Sequence, residues 1–328
     1  MTTKRLYDKL DRIRADPSGC KDFILCDAKD ADMAFGACAP GPDVARSGAW
    51  KTREQFLDQV RAIIEQDEVD LMLASVCTME QIAVVEGRLA NSGMATAIRA
   101  NDASDIWAVR GGGYTAQPSR PFRSANLGAV MARGIADLGL YSITFNNDIE
   151  HDLRSLEAFR EFRAEAAGLR FKYFLEVFNP NASVGLAPEA VGGFVNDCIV
   201  RTLAGLAQAE RPLFLKIAYN GPAALEELVA YDSQTVVGIL GGSSGTTMDT
   251  FKLVHDARRH GARLALFGRK INLAEDPLGL VVLLKAVCAG DLGPTEAVKA
   301  YHAALKKKRL APRRKLADDI VVTEQALR

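Results

Sequence analysis

Apolar stretches of strand length alternate with stretches of helical periodicity along most of the chain. Candidate strands fall at 23–27 (FILCD), 70–75 (DLMLAS), 95–100 (ATAIRA), 140–146 (LYSITFN), 170–177 (RFKYFLEV), 212–219 (PLFLKIAY), 235–241 (TVVGILG) and 262–268 (ARLALFG). Candidate helices lie between them at 52–66, 79–92, 123–138, 150–168, 188–210, 222–231 and 247–260, with a last one at about 274–289. In 52–66, Phe56, Val60, Ile63 and Ile64 share one helical face. The strands read as continuous apolar runs, which suits burial of both faces under helices. Eight βα units with short connections predict a (β/α)8 TIM barrel. A doubly wound sheet is the alternative, but it calls for a GxGxxG turn after the first strand, and residues 26–36 read CDAKDADMAFG. Two more amphipathic stretches, 3–15 and 293–307, flank the repeat. The expected division is an N-terminal helical extension (1–20), the barrel (21–291) and a C-terminal helix and tail (292–328).

Two connections are longer than the rest. Residues 28–51 and 101–122 are rich in glycine and proline, and both follow strands at the end where barrel enzymes build their sites. Long loops there serve as lids, or are surface excursions. The basic run 306–315 (KKKRLAPRRK) reads as a solvated or subunit-contacting end rather than a nucleic-acid site.

Composition narrows the function classes. The 328 residues carry 41 basic and 41 acidic side chains, so no global charge recruits nucleic acid or a membrane. The apolar runs are strand-sized, well short of a spanning segment. The first residues, MTTKRLYDKLDRIRADP, are charged and lack the apolar stretch of a signal peptide. The six cysteines are irregularly spaced and form no CxxC pair, as expected of reduced thiols in a cytoplasmic protein. The four histidines form no HxH or HExxH motif, which argues against a histidine-bound zinc site. A carboxylate-bound magnesium stays compatible with the composition.

The candidate chemistry starts at Lys216, near the end of the apolar run RPLFLKIAYNG. Burial of an ammonium costs hydration, and a burial that lowers its pKa makes the amine a nucleophile. Lys216 shares strand parity with Phe214 and small Ala218, which leaves room for a substrate. The same lysine could instead snorkel to the rim or pair with a carboxylate. Glu176, near the end of the fifth strand, is placed to protonate a carbinolamine hydroxyl or to make that salt bridge. Asp27 closes the first strand and is a candidate base, or a loop cap; Lys29 and Asp30 follow it. Asn146 ends the fourth strand and is a candidate for substrate hydroxyls. After the seventh strand, Gly241, Gly242 and Ser243 offer backbone amides to an anion, as does the start of the next helix. After the eighth, Gly268 and Arg269 complete an arrangement suited to phosphate between the last two strands of a barrel.

This ordered set resembles the DeoC/LacD class I aldolases, and within them tagatose-bisphosphate aldolase and the archaeal-type fructose-bisphosphate aldolases. The resemblance covers roughly residues 20–290, with its motifs concentrated in 170–270. It implies a metal-independent, cofactor-free lyase that makes or breaks a C–C bond of a sugar phosphate through a lysine imine. It implies Lys216 as the imine lysine, Glu176 as acid, Asp27 as the strand-1 aspartate, and Gly241, Gly242, Gly268 and Arg269 as the phosphate set. Two positions depart from the pattern. Ser142 stands where tagatose-type members carry a lysine, and Asp-Ala-Lys at 27–29 replaces the archaeal Asp-His-Gly. Both put the ordinary bisphosphate sugars in question. Acyl transfer, transaldol or isomerase chemistry on the same lysine, and a non-catalytic phosphosugar-binding regulator, are the alternatives. A homo-oligomer is expected by analogy with barrels that associate.

Overall fold

The computed structural model describes residues 4–43, 45–102, 108–183, 185–242 and 245–328. Eight parallel strands close into a barrel in sequence order: β1 (Ile24–Lys29), β2 (Leu71–Ala74), β3 (Ala95–Arg99), β4 (Leu138–Thr144), β5 (Lys172–Phe178), β6 (Leu215–Ile217), β7 (Val237–Leu240) and β8 (Leu264–Phe267). β1 pairs with both β2 and β8, so no sheet edge is left open. The (β/α)8 architecture expected from the pattern is the one observed.

Two apolar clusters divide the molecule along the strand wall. Inside the barrel, alternate residues such as Ile24, Cys26, Leu71, Ala97, Phe174 and Leu264 pack together. Outside, residues of the opposite parity, among them Phe23, Leu25, Met72, Tyr141 and Val177, pack against the surrounding helices. The helix Arg5–Ala15 contributes Leu6, Leu10 and Ile13 to the inner cluster, so it plugs the N-terminal mouth of the barrel. Asp70, almost fully buried, accepts from Lys9 at 2.8 Å and from the Leu25 amide at 2.9 Å, which fastens that helix to the first two strands.

Several elements differ from the pattern-based expectation. The helix expected over 123–138 spans Leu127–Ala132 only, because Gly134 turns the chain into the left-handed region at φ 65° and β4 begins at Leu138. The helix expected over 79–92 starts earlier, at Val76, and widens into a π-turn over Glu80–Val85. A single helical turn, Arg269–Asn272, follows β8 before the helix Pro277–Ala289. The helix Pro294–Lys308 buries Val298, Tyr301 and Leu305 against the outer layer. Among the described residues, no helix is long and apolar enough to cross a membrane.

Candidate active site

The lumen of the barrel changes character along its axis. Phe174 and Phe214 stack with centroids 4.4 Å apart and form an apolar floor. One inward-facing position further along each strand stand Glu176 and Lys216, paired in register across β5 and β6. Lys216 Nζ lies 2.5 Å from Glu176 Oε1, and both side chains are more than nine-tenths buried. The other carboxylate oxygen of Glu176 accepts the Ser142 hydroxyl at 2.9 Å from β4. On the far side of Lys216 the register partner is Gly238. A Cβ there would come within 2.5 Å of the Leu264 side chain, so only glycine fits beside the lysine.

Above this row the barrel opens into a cavity of about 470 Å³. Lys216, Glu176, Gly241, Gly242, Gly268 and Arg269 all line it. The sequence separates these residues by up to 93 positions (176 to 269), and the fold brings them to one face. Gly242 has φ 61°, a conformation that L side chains disfavour. A Cβ on Gly268 would sit 3.0 Å from the Ala28 carbonyl oxygen of β1, which keeps the β8 turn tight against the barrel. The Arg269 guanidinium lies over the Phe35 ring, 5.2 Å from its centroid. Ser243 lies outside the described residues.

The long connections after β1 and β3 both reach this cavity, through Ala31, Ala34 and Phe35 in one and Val109, Tyr114 and Thr115 in the other. Asn181, just past β5, holds the second of them: its amide donates to the carbonyls of Tyr114 and Gln117, and its oxygen accepts from the Ser119 amide.

Asp27 is not in the lining. It shares parity with Phe23 and Leu25, so it faces the helix layer outside the strand wall. There it is fully buried with Lys29, 2.7 Å away, and Lys29 in turn bonds Asn272 on the turn after β8. Neither oxygen of Asp27 accepts a well-directed hydrogen bond. Burial pushes its carboxyl pKa up, and Lys29 offsets part of that. The acid presented to the cavity at the end of β1 is Asp30, the residue just past the strand, which accepts Arg99 Nη1 at 3.2 Å. Alternation explains the exchange: positions 24, 26, 28 and 30 face inward.

Asn146 also falls outside the lining. Its side chain donates to the Thr144 carbonyl, and its amide donates to Asp152, so it shapes the turn after β4. The start of the helix Thr247–Arg259 is not open to an anion either. The Thr246 amide donates to Asp249 and the Thr247 amide to Asp319.

Arg99 is the main residue that sequence reasoning passed over. It is almost fully buried and lines the cavity. Its signal was the one that singled out Lys216, a cation at the end of an apolar strand. Among the described residues, no group of three or more His, Cys, Asp or Glu is placed to hold a metal ion.

With this geometry in hand, solved structures give the comparison. The chain superposes on a Schiff-base-forming fructose-1,6-bisphosphate aldolase with a TM-score of 0.61 at 14% identity, covering 85% of this chain and 99% of the other. The fold is the one these aldolases share. An archaeal fructose-1,6-bisphosphate aldolase, captured with its catalytic lysine bound to the carbinolamine intermediate, gives 0.60 at 16% identity, over 86% of this chain and 99% of that one. The fructose-bisphosphate aldolase of Slackia heliotrinireducens gives 0.64 at 15% identity, over 90% and 89%. No protein-family model and no curated protein sequence matches the chain.

Proposed function

We propose that this chain is a class I aldolase that cleaves or forms a C–C bond of a phosphorylated ketose or a related sugar through an imine on Lys216. The observation that carries the reading is the buried Lys216–Glu176 pair, 2.5 Å apart at the base of a cavity rimmed by Gly241, Gly242, Gly268 and Arg269. The likeness in fold to Schiff-base aldolases supports it.

The chemistry follows from the pair. Glu176 takes a proton from the Lys216 ammonium, and the neutral amine adds to the substrate carbonyl carbon. The resulting carbinolamine loses its hydroxyl as water, with Glu176 returning the proton that makes hydroxide leave as water. The product is a protonated imine. It accepts the electron pair of the adjacent C–C bond when the neighbouring hydroxyl gives up its proton. Asp30 is the base in this reading, oriented by Arg99. The enamine is then reprotonated on carbon, and water hydrolyses the imine to release the second product and the free amine. Ser142 orients Glu176 by bonding its second oxygen. The phosphate sits against the turns after β7 and β8, where Arg269 supplies a charge-assisted contact.

Borohydride trapping tests this. The protein is incubated with a panel of ketose and aldose phosphates, reduced, and mapped by peptide mass spectrometry. A mass increment on Lys216 is expected, and it ranks the substrates. Folded protein that yields no adduct with any carbonyl compound would favour a phosphosugar-binding regulator instead. A homo-oligomeric, cytoplasmic enzyme remains part of the proposal, and sedimentation equilibrium reads the first half of it.

A further inference from the structure

Two turns rim the cavity, one after β7 and one after β8, and the second is held to β1 by the Lys29–Asn272 bond and the close approach of Gly268 to Ala28. The second is followed by a single helical turn, Arg269–Asn272. The last residues of the chain lie across the helix start after β7 and the helical turn after β8. On the β7 side, Asp319 accepts the Thr247 amide at 2.8 Å, and the Val321 carbonyl accepts the Thr246 hydroxyl at 2.8 Å. Asp249 accepts the amides of Thr323 and Glu324 at 2.8 and 3.2 Å and the Thr323 hydroxyl at 2.5 Å. On the β8 side, Glu324 Oε1 accepts Lys270 Nζ at 2.9 Å. The Lys270 side chain has no solvent exposure, so removing Glu324 would strip a buried ammonium of this partner. Lys270 directly follows Arg269, which lines the cavity. Leu327 is buried in the outer core and Ile320 packs against it, which seats the segment at both ends.

One pair of adjacent residues, Thr323 and Glu324, thus touches the helix that follows the β7 turn, at Asp249, and the turn after β8, at Lys270. We propose that residues 319–324 are a clamp that sets the spacing of the two anion-binding turns, with Glu324 as its principal positioning residue. Glu324 does not line the cavity; it acts through Lys270 on the Arg269 turn. The clamp rests on the reading of these turns as the phosphate site. It makes affinity for the anionic end of the substrate depend on a segment remote from Lys216 in the sequence, while the imine centre on β5 and β6 is held by strand pairing, the Lys216–Glu176 contact and the Ser142 hydroxyl.

The test separates anion affinity from imine chemistry. Inorganic phosphate is titrated calorimetrically into the full chain and into Glu324→Ala, Glu324→Gln and Thr323→Val. In parallel, each protein is trapped with borohydride and unphosphorylated dihydroxyacetone. Glu324→Ala is expected to weaken phosphate binding at least fivefold, with Glu324→Gln in between because it keeps a hydrogen bond to Lys270. Thr323→Val, which keeps the side-chain shape, is expected to weaken it about twofold or more. Trapping on Lys216 should be equal in all four, and KM for a phosphorylated substrate should rise while kcat holds. Unchanged phosphate affinity in both Glu324→Ala and Thr323→Val overturns the clamp. So does parallel loss of phosphate binding and trapping, which would place the effect in the fold. A wild-type chain that binds no phosphate overturns it as well. A wild-type chain that binds phosphate but traps no carbonyl removes the aldolase reading alone, and the titrations with melting curves then decide the clamp.

Discussion

Asp27 and Asp30 stand on opposite sides of the barrel wall. Asp27 is sealed under the helix layer against Lys29, while Asp30 looks into the cavity and holds Arg99 at 3.2 Å. Three positions separate them, Asp30 lies just past the end of β1, and an odd step in the strand's alternation reverses the face. Changing Asp30 to Asn is therefore expected to cut turnover by roughly 10²–10⁴-fold, the usual range for loss of a general base. Asp27→Asn should leave trapping on Lys216 intact. Steady-state kinetics on the two variants decides between them, and the reverse ranking would sink the role of Asp30.

Ser142 and Glu176 make the next case. The serine hydroxyl donates to the carboxylate oxygen that Lys216 does not use. Ser142→Ala removes one hydrogen bond to a buried acid, an effect of about 1 kcal/mol, and should slow imine formation by about five- to tenfold. Stopped-flow measurement of adduct formation checks this. A rate equal to wild type would mean that Glu176 is held by Lys216 alone.

The buried pair on the outer face of β1 is a stability device. Lys29→Met strips Asp27 of its cation and is expected to cost about 3–5 kcal/mol in urea unfolding at neutral pH. Restoring neutrality in the double variant Asp27→Asn/Lys29→Met should recover most of it. The sign with pH follows from burial, which already raises the Asp27 pKa. A carboxyl with a folded-state pKa above its unfolded value favours folding when protonated. Its contribution is full below the unfolded value of 3.8 and is lost as pH rises through the folded value. The Lys29→Met penalty should therefore grow with pH. A penalty independent of pH between 3 and 7 (on the order of the range in which a carboxyl titrates) would count against the assignment.

Asp249 works in the opposite direction. Burial alone would raise its pKa, but bonds from the Thr246 amide, the Thr323 hydroxyl and two further amides outweigh it, and the net shift is downward. A depressed carboxyl stabilises above its unfolded value of 3.8 and loses that contribution as pH falls through the lower folded value. Acid should thus loosen the C-terminal clamp. Asp249→Asn should be less stable than wild type at pH 6, with the gap closing toward roughly pH 3, as denaturant midpoints across that range would show. A gap that stays constant would mean that the charge of Asp249 contributes nothing.

Much of this molecule is legible in its pattern. The eight apolar runs alternate with helical stretches, and a closed parallel barrel is the arrangement that buries all of them. Lys216 and Glu176 stand out because a charge inside an apolar strand needs a partner, and each is the other's partner in register. Gly241, Gly242, Gly268 and Arg269 sit at strand ends, and the barrel gathers strand ends at one face. Arg99 could have been found the same way.

Tertiary structure alone decided the rest. Both faces of β1 are buried, so hydrophobicity carries no sign of which face is the lumen, and only closure of the barrel sends Asp27 out and Asp30 in. The helix start after β7 looked open to an anion, but Asp319 from the far end of the chain had already taken the Thr247 amide. Thr323 reaches Asp249 across 74 positions, a contact that no local period or propensity encodes. Periodicity specifies which residues are buried, because water exclusion acts on each segment by itself. Which buried groups meet depends on how the segments are stacked, and that is fixed only when the whole chain has closed.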